Sequence, residues 1–185
     1  EKVYCEILPC STPAEKIAEL NPKGIIFAGG PVAVDEPGAP VCDMKVFQLG
    51  VPILGICYGI QLMGHMLGGR TGKAPVKEYG ETEINLDNTS RLFDGLEKES
   101  ICWMSHTCHV EKLPEGFRTT AVTANCPVAA MEDANRKIYG VQFHPEVMHT
   151  PKGQDMLRNF LFKICGCKGD WIMADFIGQQ VEAIR

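Results

Sequence analysis

The stretch that decides the fold is Val51-Pro52-Ile53-Leu54-Gly55-Ile56-Cys57-Tyr58-Gly59. Its first part, up to Ile56, is an apolar run typical of a strand buried on both faces. A helical pattern begins after Cys57 and stops at Gly68-Gly69, and its apolar face carries Ile60, Met63, Met66 and Leu67. The stretch therefore predicts a strand, a sharp turn and a helix in succession.

Strands and helices also alternate on the amino-terminal side of this stretch. Apolar runs predict strands at Val3–Leu8 and Gly24–Ala28, in addition to Val51–Ile56. A helix is predicted to begin at Thr12-Pro13-Ala14-Glu15, with a hydroxyl cap, proline at the first helical position and glutamate at the third. This alternation is typical of an α/β layer fold.

After Thr71 the pattern changes to strands without long helices. Strands are predicted at Thr82–Leu86, Ile101–Met104 and Phe117–Ala124, followed by a hairpin of Val128–Glu132 with Lys137–Phe143. A last helix, capped by Thr150-Pro151, is predicted from the spacing of Met156, Leu157, Phe160, Leu161 and Ile164. The predicted fold class is α/β, with an open mixed or mostly parallel sheet flanked by helices and a small antiparallel annex.

Composition excludes several classes of function. The 185 residues are 45% hydrophobic, which suffices for one ordinary core, but no apolar run reaches the roughly 18 residues of a membrane helix. The net charge is −5 with no basic stripe, so neither nucleic acid nor a membrane is an expected partner. The chain has nine cysteines, an odd number, and no charged-then-apolar leader is recognised. Both observations favour reduced thiols and a cytoplasmic location.

Cys57 is a candidate nucleophile. It lies between Gly55 and Gly59 in a G-x-nucleophile-x-G pattern, where small flanking residues relieve the crowding of a tight strand-to-helix turn. The start of a helix favours a thiolate through the helix dipole and the free N–H groups. The alternative is a buried structural cysteine.

His144 is the candidate base, because His65 lies two turns along the helix from Cys57 and cannot fold back to it. His144 follows the predicted strand Lys137–Phe143, and Pro145 and Glu146 come next. Residues two apart share a face of extended backbone, so Glu146 can lie beside the imidazole and fix its tautomer. The alternative is a surface His-Pro-Glu turn. The presence of the Cys57 pattern in the same chain disfavours this alternative.

No metal site is predicted. The run His106-Thr107-Cys108-His109 has adjacent ligands without the usual zinc spacing, and no second cluster completes four ligands. Cys165 and Cys167 are spaced C-x-C rather than C-x-x-C, which indicates incidental thiols.

Taken together, four motifs carry a family resemblance: Gly29-Gly30-Pro31, Gly55-Ile56-Cys57-Tyr58-Gly59-Ile60-Gln61, Trp103-Met104-Ser105-His106 and Gly140-Val141-Gln142-Phe143-His144-Pro145-Glu146-Val147. In this order they resemble the class I glutamine amidotransferases, whose fold is a flavodoxin-like three-layer type. Within that family they are most similar to the glutaminase domain of the GMP synthases. The resemblance covers nearly the whole chain.

The resemblance implies a glutaminase and a role for each site residue. Cys57 would attack the side-chain amide of L-glutamine, His144 would transfer the proton and Glu146 would hold His144. The backbone N–H groups of Gly30 and Tyr58 would form the oxyanion hole. Three further residues would bind the substrate: Gln61, Ser105 and His106, the last two through the main chain.

The resemblance also implies a partner. In the family, ammonia passes to an ATP-pyrophosphatase synthetase domain that aminates xanthosine monophosphate (XMP). No pyrophosphate loop of the S-G-G-x-D-S type occurs here, so ATP and magnesium are expected to act on that other domain, and no cofactor is expected in this one. The expected division is an amidotransferase domain at 1–167 and a linker with the opening helix of the synthetase domain at 168–185.

Two departures from the family pattern are expected to matter. A strand and helix that family members carry before the segment Val3–Pro9 are absent, and Thr107-Cys108 stands where the family has Gly-Asp. Two other functions stay open. A stand-alone γ-glutamyl hydrolase would release ammonia without a partner, and a non-catalytic regulatory module would leave Cys57 unlabelled by a glutamine-like electrophile.

Overall fold

The computed structural model describes residues 1–30 and 32–172. Within them the strands are β1 (Ile25–Phe27), β2 (Ile53–Ile56), β3 (Arg70–Leu86), β4 (Glu99–Lys112), β5 (Arg118–Val122), β6 (Ala130–Asp133) and β7 (Ile138–Val141). The α-helices are α1 (Ala14–Glu19), α2 (Tyr58–Met66) and α3 (Gly153–Arg158), which continues as a π-helix over Asn159–Ile164. Short 3₁₀ turns lie at Met44–Gln48 and Arg91–Phe93.

The seven strands form a single mixed sheet in the order β1-β2-β7-β6-β5-β3-β4. β1, β2 and β7 pair in parallel, whereas all pairs from β7 to β4 are antiparallel. The predicted α/β class with a mixed sheet is confirmed. Its antiparallel part is larger than the predicted annex, because β3 and β4 are 17 and 14 residues long and pair along most of their length.

The core lies where α2 crosses the parallel strands. Every residue of β2 and β7 is buried, as expected for strands covered on both faces. Gly55 and Gly140 are paired across these two strands, and a Cβ on Gly55 would lie 2.5 Å from Met63 Cε. The helix therefore sits directly on the sheet, and the turn at Cys57 lies at the carboxyl ends of the parallel strands.

The amino-terminal segment differs from its prediction. Val3–Leu8 forms no strand and no partner strand pairs with it in the described residues, so its apolar alternation has no sheet to face, and Ile7 is 99% exposed. The first helix begins one residue later than predicted, with Pro13 as its N-cap. Thr12 does not cap it, because its hydroxyl donates to the Pro9 carbonyl at 2.7 Å.

The last helix begins at Gly153, after Thr150-Pro151, with Lys152 as its N-cap. Thr150 is not the cap because its hydroxyl donates to the His144 carbonyl at 2.6 Å and accepts from the Trp103 N–H at 2.9 Å. The apolar spacing was a correct guide to the buried face, since Met156, Phe160 and Ile164 all lie in the core.

The linker and opening helix expected at 168–185 lie outside the described residues from position 173 onward. Within the described part of the chain, no helix has the length and apolar character needed to cross a membrane.

Candidate active site

Cys57 occupies a strained turn between β2 and α2. Its φ of 54° and ψ of −103° place it at positive φ, which residues with a Cβ rarely adopt. The flanking glycines permit the turn because a Cβ on Gly59 would overlap the Phe27 carbonyl oxygen and one on Gly55 would lie 2.6 Å from the Gly59 backbone. The turn holds the thiol at the first turn of α2, where helical N–H groups have no intrahelical acceptor.

His144 follows β7 and faces Cys57. Its Nδ1 lies 2.7 Å from Glu146 Oε1, so the other ring nitrogen is left for the thiol. The hydrogen bond with Cys57, followed by the one with Glu146, raises the pKa of His144 to about 10. Burial alone would raise the pKa of Glu146, but the hydrogen bond with His144 and other contacts outweigh burial and lower it. The three side chains thus form a hydrogen-bonded set that favours the doubly protonated, positively charged ring of His144.

The backbone of His144 is fixed from β4. Its N–H donates to the Trp103 carbonyl at 3.0 Å, and its carbonyl accepts from Thr150, which also accepts from the Trp103 N–H. The Trp103 ring stacks on His149 with centroids 4.5 Å apart. The imidazole therefore sits on a backbone held by several hydrogen bonds.

Gly29 and Gly30 pass close to His144, Cys57 and Tyr58. A Cβ on Gly29 would lie 3.6 Å from His144 Cε1 and 3.8 Å from Cys57 Cβ, and one on Gly30 would lie 3.0 Å from the Tyr58 ring. The lack of side chains lets this backbone approach the thiol. Gly30 and Tyr58, the residues expected to form the oxyanion hole, thus lie together at the Cys57 turn.

A pocket of about 310 Å³ opens beside the thiol. The residues expected to bind substrate line it, and so do two charged side chains at positions that the sequence did not single out. The lining includes Gly30, Cys57, Tyr58, Gln61, Ser105, His106, Glu36 and Lys73. The structure thus brings every predicted site residue except His144 and Glu146 to the pocket wall. His144 contacts Cys57 from outside the pocket, and Glu146 lies behind His144.

The amide of Gln61 has a defined orientation. Its Nε2 donates to the Cys108 carbonyl at 2.8 Å and to Gln142 Oε1 at 3.2 Å. Ser105 contributes its carbonyl, which lies 3.8 Å from Cys57 Sγ and accepts from the thiol. Cys108 belongs to the Thr107-Cys108 departure from the family pattern, and its main-chain carbonyl orients the Gln61 amide.

Gln142 is a further residue that sequence reasoning missed. It is fully buried, and its Nε2 donates to Cys57 Sγ at 3.9 Å. A signal was present, because a glutamine between Val141 and Phe143 interrupts an apolar strand, and a buried amide needs hydrogen-bond partners.

The predicted absence of a metal stays a prediction. Among the described residues, the side chains that could hold an ion are Glu78, His106 and Cys126, whose ligand atoms lie within 4.8 Å of one another. Glu78 already accepts from Thr123 at 2.7 Å and lies 3.2 Å from His106 Nε2. Burial raises the pKa of the Cys126 thiol to about 12, which disfavours the thiolate that a metal requires.

A sequence model of the family described as "Glutamine amidotransferase class-I" matches residues 1–164. The chain belongs to this family. The resemblance and the fold class expected from the sequence are therefore confirmed.

Within the family, this chain is similar to proteins named GMP synthase. A protein of Acetivibrio thermocellus named GMP synthase [glutamine-hydrolyzing] is 62% identical over 183 residues, and one of Clostridium perfringens with the same name is 56% identical. Each alignment covers 99% of this chain, which spans 36% of the length of those relatives.

Solved structures agree on the fold. A Thermoplasma acidophilum protein described as a GMP synthase subunit is 31% identical, with a TM-score of 0.75, covering 87% of this chain and 80% of that one. A glutamine amidotransferase of Methylobacillus flagellatus has a TM-score of 0.58 at 21% identity, covering 77% of this chain and 57% of that one, which supports the fold alone. The class I amidotransferase architecture thus extends over most of the described residues.

Proposed function

We propose that this amidotransferase hydrolyses L-glutamine to glutamate and ammonia through a thioester on Cys57. One observation carries the proposal: a cysteine at positive φ shares a hydrogen bond with a histidine whose second nitrogen is held by a carboxylate. This is the arrangement that an activated nucleophile with a general base and an orienting group requires. The proposed catalytic residues are Cys57, His144 and Glu146.

The first half of the reaction forms the thioester. The Cys57 thiol proton passes to His144, and the thiolate attacks the side-chain amide carbon of glutamine, forming a C–S bond. His144 then donates its proton to the departing nitrogen, and the C–N bond breaks to release ammonia. The hydrogen bonds with Cys57 and Glu146 raise the pKa of His144 to about 10, which favours transfer of the thiol proton to this ring.

The second half hydrolyses the thioester. His144 takes a proton from water, the hydroxide adds to the thioester carbon, and collapse of the adduct returns the proton to Cys57 and frees glutamate. In both halves the developing oxyanion would accept from the backbone N–H groups of Gly30 and Tyr58. Their position at the pocket wall beside Cys57 supports this assignment.

The pocket suits a zwitterionic amino acid. Glu36 and Lys73 supply one negative and one positive side chain for the α-ammonium and α-carboxylate. Gln61 has both amide hydrogens occupied by Cys108 and Gln142, and within the described residues no donor reaches its side-chain oxygen. That oxygen can accept from the substrate, and the main chain at Ser105 and His106 adds further contacts.

We also propose that the chain is the glutaminase part of a GMP synthase. Ammonia would pass to an ATP-dependent synthetase domain that converts XMP to GMP, with ATP and magnesium acting there and no cofactor in residues 1–167. The names of the similar proteins and the 36% of their length that the chain spans support this division. The assignment of residues 168–185 to a linker and the opening helix of the synthetase, and a cytoplasmic location, belong to the same proposal.

Ammonia release from L-glutamine tests the proposal. The chain should release ammonia, Cys57→Ala should abolish release, and addition of a GMP synthase synthetase domain with XMP and ATP should accelerate it. Release at an equal rate with and without these additions would overturn the coupling and favour the stand-alone hydrolase. If a glutamine-like electrophile failed to label Cys57, the glutaminase assignment itself would be wrong.

A further inference from the structure

A chain of hydrogen bonds continues from the Cys57 sulfur to a buried acid–base pair. It runs from Cys57 through the Gln142 and Gln61 amides to the Cys108 carbonyl. His106 Nδ1 meets the same carbonyl at 3.1 Å, and its Nε2 lies 3.2 Å from Glu78 Oε2. Both side chains of this pair are almost fully buried, at 1% and 4% exposure for His106 and Glu78.

The donor and acceptor at each step of this chain are determined by one carbonyl. The Cys108 oxygen can only accept, so Gln61 must turn its NH₂ group toward it. The second hydrogen of that NH₂ group then requires an acceptor, which fixes Gln142 with its oxygen toward Gln61. The NH₂ group of Gln142 is left facing Cys57, where it stabilises negative charge on the sulfur.

The same carbonyl determines the tautomer of His106. Nδ1 must carry a hydrogen to bond the Cys108 oxygen, and a bare Nε2 facing a bare carboxylate would repel it. One proton therefore lies between Nε2 and Glu78, on either partner. Thr123 fixes the carboxylate by donating to its other oxygen at 2.7 Å.

The other titratable groups near Glu78 carry no compensating charge. Burial raises the pKa values of the Cys102 and Cys126 thiols to about 12. Burial also lowers the pKa of His109, which keeps that ring neutral. Among the described residues, His106 is the ion-pair partner of Glu78.

A bulge sets the position of the pair. β3 and β4 pair Lys73 with Cys108, and pairing resumes only at Glu78 with His106, so four residues of β3 face one residue of β4. Cys108 lies at the edge of this irregularity, where its carbonyl accepts from two side chains.

We propose that the buried Glu78–His106 pair is a positioning device, which orients the two glutamine amides that contact Cys57 and the pocket. The inference rests on the proposed glutaminase function for its activity readout. Neither Glu78 nor His106 exchanges a proton with substrate in this role. Together they keep the Cys108 carbonyl in place, as an orienting carboxylate does for a catalytic histidine.

Three variants on one strand test the device. Glu78→Leu removes the hydrogen bond to His106, whereas Glu78→Gln keeps an N–H that can be donated to Nε2 and an oxygen for Thr123. Glu83→Leu is the matched control, because Glu83 lies on β3 and is exposed. We expect kcat/KM for ammonia release to fall about 10- to 100-fold in Glu78→Leu, and to stay within about threefold of wild type in the other two.

A second readout does not require glutamine hydrolysis. The rate at which iodoacetamide alkylates Cys57, followed by mass spectrometry of the Cys57 peptide, should fall in Glu78→Leu and recover in Glu78→Gln. If the wild type released no ammonia but alkylation followed this order, the positioning inference would stand and the proposed function would fail. Equal alkylation rates in all variants, or a Glu78→Gln rate as low as that of Glu78→Leu, would overturn the inference.

The wild-type protein provides a test that does not depend on a variant folding. Nitrogen-15 NMR of the histidine rings reports which nitrogen carries hydrogen, and His106→Gln identifies the signal of His106. We expect Nδ1 of His106 to be protonated. A His106 ring protonated at Nε2 alone would contradict the inference.

Discussion

The strain at Cys57 can be measured by comparing two substitutions that differ by a single carbon. Cys57→Ala keeps a Cβ at φ 54° and ψ −103°, whereas Cys57→Gly removes it. Unusual backbone conformations of this kind destabilise the folded state by about 1–3 kcal/mol. The change from alanine to glycine relieves that strain at position 57.

An ordinary buried position supplies the reference. At Ala130, in β6 and fully buried, replacement by glycine loses about 0.8 kcal/mol for the buried methyl and about 0.5–1 kcal/mol of backbone entropy, roughly 1.5 kcal/mol in total. The same step at position 57 should cost about 1–3 kcal/mol less, and is therefore expected to be close to neutral or stabilising.

Urea denaturation of the four proteins measures the difference. The free energies of unfolding of Cys57→Ala, Cys57→Gly, wild type and Ala130→Gly are compared. In thermal denaturation each 1 kcal/mol corresponds to about 2–4 °C in Tm for a chain of this size. Equal losses for the alanine-to-glycine step at the two positions would refute the reasoning, because the turn would then store no strain.

The remaining predictions concern the catalytic set. Cys57→Ala should abolish ammonia release while Cys108→Ala retains it, and the opposite pattern would show that the nucleophile is assigned to the wrong residue. His144→Ala should be as inactive as Cys57→Ala, with Glu146→Ala less affected, in single-turnover assays with glutamine. The paired His144 has its pKa raised from 6.5 to about 10, so its stabilising contribution is complete below pH about 6.5 and is lost as pH rises toward 10. Chemical denaturation from pH 6.5 to 10 should therefore show a steeper loss of stability in wild type than in His144→Ala. Elemental analysis should find no stoichiometric metal, and one zinc per chain would contradict this.

Local patterns predicted the turn at Cys57 because short-range sterics determine it. The spacing of Gly55, Cys57 and Gly59 indicates a strand-to-helix turn, and the structure has that turn. The relation of His144 to Glu146 is equally local, since it depends on two residues of one extended segment. The resemblance implied that these two residues act together with Cys57. Their proximity to Cys57 depends on the parallel pairing of β2 with β7, which local pattern alone did not fix.

Features that depend on distant partners were not predictable in the same way. Val3–Leu8 has the composition of a strand, but strand formation needs a partner. Thr150 has the sequence context of a helix cap, yet its hydroxyl bonds His144 and Trp103, which are remote from the helix. No local pattern indicates that Glu78 is buried, because only the register of β3 against β4 places it opposite His106.

The short run from Trp103 to Cys108 limits where the domain can accept insertions and deletions. One strand segment fixes the backbone of His144, offers a carbonyl to the Cys57 thiol and orients the Gln61 amide. All three contacts are made by main-chain groups, whose direction alternates along a strand, so removal or insertion of one residue here would shift these groups relative to one another. Segments outside the strands and helices are not held in this register. Length variation among working versions of this domain should therefore concentrate in loops and be absent between residues 103 and 108.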